Sequence, residues 1–116
     1  MKFLLAMILS SFSFSANAQD WTSYDNGLHH EPTNMFFSRT LSGDISFQNA
    51  QRLCESENMR LPTWNEFQIG RNNGLASAKK HVGDDASWWF WTAQAQRFSL
   101  EGLHIPGSVA KTVCFQ

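Results

Sequence analysis

The sequence predicts an α+β domain, and three observations carry that expectation. An amphipathic helical pattern over residues 47–57 bears Cys54. A second helix is announced by Thr63-x-x-Glu66, directly after an extended Met59-Arg60-Leu61-Pro62. The C-terminal half is built of short aromatic and β-branched runs separated by turn residues, and it ends on Cys114-Phe115-Gln116.

Residues 1–18 read as a secretory leader. Lys2 supplies a positive start, Phe3 to Leu9 an apolar stretch, and Ala16-Asn17-Ala18 a small-x-small cleavage site. The apolar stretch is too short to anchor in a bilayer, so no membrane insertion is expected. Cleavage after Ala18 leaves 98 of the 116 residues, one domain, secreted or periplasmic. In an oxidising compartment two cysteines usually pair. A Cys54–Cys114 bridge would contribute about 4 kcal/mol in the chain-entropy model, a useful addition to a core this small.

Without Lys2, eight Lys and Arg face ten Asp and Glu, a net charge of −2. That surface has no strong pull on nucleic acid or acidic membranes, and no basic patch carries interleaved aromatics. Residues 19–41 form a polar lead-in and first strand, and 42–116 form the core of the same domain. Gln19 to Pro32 reads as loosely structured, with room for a short strand. Thr33 to Leu41, with Met35, Phe36, Phe37 and Thr40, reads as the first strand. Ser42-Gly43-Asp44 is a turn.

The first helix runs from Phe47 to Glu57 with Ser46 as its N-cap. Phe47, Ala50, Leu53 and Cys54 share its apolar face. The second begins at a capping box, Thr63 with Glu66, and Pro62 and Phe67 occupy the staple positions around it. Asn72-Asn73-Gly74 stops it. Leu75 to Ser87 is a long connector with room for a helical turn. Ser87 to Ala93, SWWFWTA, is a strand. Short strands follow, broken at Gln94–Gln96, Glu101-Gly102 and Pro106-Gly107, and the last, Lys111 to Phe115, delivers Cys114.

Taken together, Ala50-x-x-x-Cys54, Met59-Arg60-Leu61-Pro62-Thr63-x-x-Glu66, Phe90-Trp91-Thr92-Ala93 and Val113-Cys114-Phe115 resemble the bacterial C-type-lectin-like domains. That group includes the C-terminal domain of the Legionella collagen-like adhesin family and the tip domains of invasin- and intimin-type adhesins. The resemblance covers residues 42–116. It implies a compact C-type-lectin-like fold with two helices flanking a small twisted antiparallel sheet. It also implies a disulfide from the first helix to the last strand, Cys54–Cys114. The calcium-binding triplets of animal lectins have no counterpart: Glu31-Pro32-Thr33 precedes the first strand, and Phe90-Trp91-Thr92 offers no carboxylate. Formylglycine-generating enzymes share a similar Arg-Leu-Pro-Thr-x-x-Glu stretch, but they are far longer and use cysteines and metal ligands absent from this sequence.

The densest chemical feature is Trp88-Trp89-Phe90-Trp91. Strand alternation sends Trp88 and Phe90 to one face and Trp89 and Trp91 to the other. One pair belongs to the core, and the other is either covered or left as a stacking surface. Lys79, Lys80, His81, Asp84 and Asp85 share the connector, either as an ordinary solvated loop or as the rim of a ligand site. Two adjacent carboxylates are too few oxygens for calcium. His29-His30-Glu31 lacks a third spaced metal ligand, and His104 with Arg97 is at most a polar rim. The sequence has neither G-x-S-x-G nor H-E-x-x-H, so no catalytic residue, cofactor or metal is expected. The expectation is a non-enzymatic binding module for an extracellular or envelope glycan or protein, working without calcium and free to oligomerise. The alternative is a small structural or accessory subunit of a bacterial surface or secretion assembly.

Overall fold

The computed structural model describes residues 20–87, 89–101 and 108–116. Among them the chain is a mixed α+β domain with three helices and two sheets. Strands β1 (Trp21–Tyr24), β2 (Gly27–His30) and β3 (Met35–Ser38) form an antiparallel meander. Strands β4 (Ser42–Ile45), β5 (Trp89–Trp91), β6 (Arg97–Ser99) and β7 (Ala110–Thr112) form the second sheet, in the order β4-β7-β5-β6. Helices α1 (Phe47–Ser56), α2 (Trp64–Asn72) and α3 (Leu75–His81) lie between β4 and β5 in sequence.

This corrects the expected single small antiparallel sheet. The lead-in is a hairpin, because Tyr24-Asp25-Asn26-Gly27 turns the chain and Gly27 then lies against Ser38 across the ladder. A Cβ at Gly27 would collide with the Phe37 carbonyl oxygen and the Phe36 ring, so only glycine permits that approach. The second sheet is mixed: β7 inserts between β4 and β5 and runs antiparallel to the first but parallel to the second. Two expected strands are also shorter than their apolar runs, Met35–Ser38 within 33–41 and Trp89–Trp91 within 87–93.

Both expected helix starts are present. Ser46 Oγ accepts from the Asn49 N–H, and α1 buries Ala50 and Cys54. Thr63 and Glu66 form the complete capping box of α2. Glu66 also receives a two-pronged bond from Arg60, with Nη1 at 2.8 Å and Nη2 at 2.7 Å from its carboxylate oxygens. The Arg60 guanidinium in turn lies 4.8 Å over the Phe115 ring. The Arg-Leu-Pro-Thr-x-x-Glu stretch is therefore a closed circuit that ties a helix start to the chain's last residues. Gly74, with φ of 88°, ends α2 and opens α3 without a side-chain cap. The connector expected over 75–87 is thus mostly a helix. Lys79, Lys80 and His81 fall in its last turn, where cations suit the dipole.

The C-terminal segment is the spine. Beyond β7, Ser38 N donates to the Cys114 carbonyl at 2.8 Å, and Phe115 bridges to Phe37 on one side and Arg60 on the other. The lead-in is stitched into the core by these bonds. Cys54 and Cys114 form the disulfide, with Cα atoms 5.4 Å apart. The core occupies both faces of β5. On one face Phe90 packs with Phe67, which stacks on Phe98 (5.3 Å) and Phe37 (5.8 Å). On the other, Trp91 joins Ala50, Cys54, Leu61 and Cys114, and its indole N–H donates to the Ile45 carbonyl at 2.7 Å.

Candidate functional site

Alternation along β5 sends Phe90 and Trp91 to opposite faces, and both are buried. Only Trp89 of the described strand residues remains half-buried. Register places Trp89 opposite Ser99 and Trp91 opposite Arg97 on the antiparallel partner β6. Arg97 therefore lies on the face of Trp89 and Trp91, and its guanidinium sits 4.9 Å over the Trp89 ring. Arg97 Nη1 also donates to the Val109 carbonyl at 3.3 Å. A partly exposed cation-on-indole pair results, shared between the inner strand β5 and the edge strand β6. Trp88 and His104 lie outside the described residues.

The charged connector residues divide into two sets. Lys79 is buried, with Nζ 2.7 Å from Asp84 Oδ2 and 3.1 Å from Thr40 Oγ1, and 5.2 Å from the centre of the Phe90 ring. It faces the core rather than a rim. Burial pushes its amine below the ordinary lysine range even though Asp84 pulls the other way. Burial opposes the charge on Asp84 too. The Lys79 bond and charge, with N–H donation from Thr40 and Asp85, nonetheless hold its carboxyl below the usual range. The second set is exposed or half-buried. Lys80 pairs with Glu101 at 2.8 Å, and Lys111 with Asp85 at 3.0 Å, while Asp85 also accepts from Ser87 N at 3.1 Å. His81 is exposed at the end of α3. Of the expected rim, Lys80, His81 and Asp85 are on the outside, whereas Lys79 and Asp84 anchor α3 to Thr40 in the link between β3 and β4.

The histidine pair is separated by strand alternation. His29 bonds Glu31 at 3.2 Å and Asn34 at 2.8 Å. His30 is buried, 4.7 Å from the Trp21 ring, with Nδ1 2.8 Å from Thr33 Oγ1. Among the described residues no group of three or more His, Cys, Asp or Glu side chains is placed to hold a metal ion, and no helix is long and apolar enough to cross a membrane.

Sequence reasoning missed Trp64. Its indole is 44 % exposed at the first position of α2, edge-on to Phe98 at 4.7 Å. It follows a capping-box threonine and precedes the inward-facing Phe67 by three residues, so it sits on the margin of the helix's buried face. That position was the available signal. Comparison of the chain with protein-family models, with curated proteins and with solved structures finds no match.

Proposed function

We propose that this chain is an exported, non-enzymatic binding module of C-type-lectin-like design. It recognises an extracellular or envelope glycan or protein partner by shape and aromatic contact, without calcium. The observation that carries the reading is the Trp89–Arg97 pair, a half-buried indole with a guanidinium 4.9 Å over it, in a domain whose first helix is tied to its C-terminus by a disulfide. Tryptophan and arginine dominate binding energy where they are presented rigidly, because little side-chain entropy remains to be lost. Lys80, His81 and Asp85 at the end of α3 add a mixed-charge border in this reading.

The test pairs a glycan array with a pull-down from envelope extract, both with the mature chain. A ligand retained in EDTA, and weakened about tenfold by Trp89→Ala at an unchanged melting temperature, supports the module. Loss of all binding in EDTA overturns the ion-free mechanism. A stoichiometric partner that cannot be removed without unfolding the chain favours the accessory-subunit alternative.

A further inference from the structure

We propose that Trp64, bordered by the side-chain amides of Gln94 and Gln68, is a stacking subsite for a neutral sugar ring. The proposal rests on the chain being a binding module. It adds a ligand class, and a locus on the opposite side of β6 from Trp89. Trp64 touches Phe98, whereas Arg97, the preceding residue of β6, faces Trp89.

Three features set Trp64 apart from an incidentally exposed aromatic. First, it is held rigidly. The capping box fixes the start of α2, and the edge-on contact with Phe98 fixes the ring. Second, its neighbour is held just as firmly. Gln94 Oε1 accepts from the Trp64 backbone N–H at 3.0 Å. The turn that carries Gln94 is clamped by Ala93 N donating to the Pro62 carbonyl at 2.7 Å and by three hydrogen bonds between Thr92 and Gln96. That turn holds Ala95 at φ of 60°, a left-handed conformation that a non-glycine residue adopts only under constraint. Third, the polar groups are amides. With its oxygen engaged, Gln94 presents its Nε2 donors. Gln68 stands one helical turn along from Trp64 at i+4, where side chains on a helix are neighbours.

The chemistry of that set selects its ligand. An indole face stacks on the C–H-rich face of a pyranose, and amides donate to and accept from hydroxyls. The nearest carboxylate along α2, Glu66, is spent on Arg60 and on the Thr63 N–H. With no charged side chain among these bordering residues, an ionic ligand gains nothing here, and a neutral polyhydroxylated ring is the match.

The experiment is titration of the isotope-labelled, disulfide-intact chain with cellotriose, maltotriose and chitotriose, with a sulfated heparin disaccharide as the anionic comparison. A neutral trisaccharide is expected to shift the Trp64 indole and Gln94 side-chain amide signals saturably, while the anion does not. Affinity should fall in the order Trp64, Trp64→Phe, Trp64→Ala, by about tenfold overall, with Gln94→Ala also weaker. The phenylalanine variant keeps a ring against Phe98, so a graded loss at constant melting temperature excludes misfolding as the cause. Shifts confined to Trp89 and Arg97 overturn this subsite and leave the binding-module reading standing. Silence from all three neutral sugars, or unchanged affinity in Trp64→Ala, overturns it outright.

Discussion

Lys79 Nζ lies 2.7 Å from Asp84 Oδ2, and the two side chains are only 1 % and 9 % exposed. The pair joins the end of α3 to Thr40, which donates its backbone N–H to the same Asp84 oxygen at 3.0 Å and whose hydroxyl contacts the lysine at 3.1 Å. A buried pair is a poor net source of stability but is costly to break, because the surviving charge has no solvent.

Lys79→Met should therefore destabilise the domain by about 3–5 kcal/mol by leaving Asp84 charged and unpaired. Lys79→Met with Asp84→Asn should recover part of that loss. Urea unfolding of the two variants checks this. Equal midpoints for wild type and the single variant would show that the pair contributes nothing.

The disulfide closes a loop with a sequence separation of 60 residues. Replacing both cysteines with alanine should cost about 4 kcal/mol in the chain-entropy model. Denaturant titration under matched conditions reads the difference. Both sulfurs are fully buried, so intact wild-type protein should also resist alkylation until it is reduced and unfolded.

Stability should fall in two steps on acidification. Burial lowers the pKa of His30 below 6.5, against an opposing pull from Asp20 and with a smaller lowering from His29. The unfolded state then binds more protons than the folded state just below that value, and stability declines as pH drops through about 6.5. Glu66, Asp84 and Asp85 also have lowered values, with burial outweighed by their donors Arg60, Lys79 and Lys111. Their contribution is complete above about 4 and is lost as pH falls through their folded values. His30→Gln should flatten the first step and leave the second, as read by melting temperature from pH 8 to pH 3.

Gly70→Ala should destabilise, although alanine is the better helix former by about 1 kcal/mol. A Cβ there would stand 2.9 Å from Phe37 Cζ and 3.2 Å from Leu75 Cδ2, and Phe37 is fully buried beneath α2. Overpacking of this kind costs about 1–3 kcal/mol. A raised melting temperature would mean that the Phe37 ring can yield.

What the sequence determined by itself was local or covalent. Ser46, the Thr63–Glu66 box and the Asn73-Gly74 stop mark helix boundaries because capping involves residues within one turn. The bridge between Cys54 and Cys114 was legible because an oxidised chain with two cysteines has one partner for each. Helix α3 was not legible, since seven residues opened by an uncapped glycine give too short a pattern to separate from a loop. Tertiary contacts decided the rest. Lys79 turned inward because Thr40, 39 residues back, joins nearby Asp84 as its partner, and the polar lead-in became a sheet because β3 pairs with the far C-terminus. Strand alternation separates Phe90 from Trp89 and Trp91, but burial of Trp91 depended on α1 packing Phe47 against it, and exposure of Trp64 depended on where Phe98 lay. Side-chain roles set by partners some thirty to forty-five residues away, as for Trp64, Lys79 and Trp91, leave no local trace, so the surface available for binding emerges only once the chain is packed.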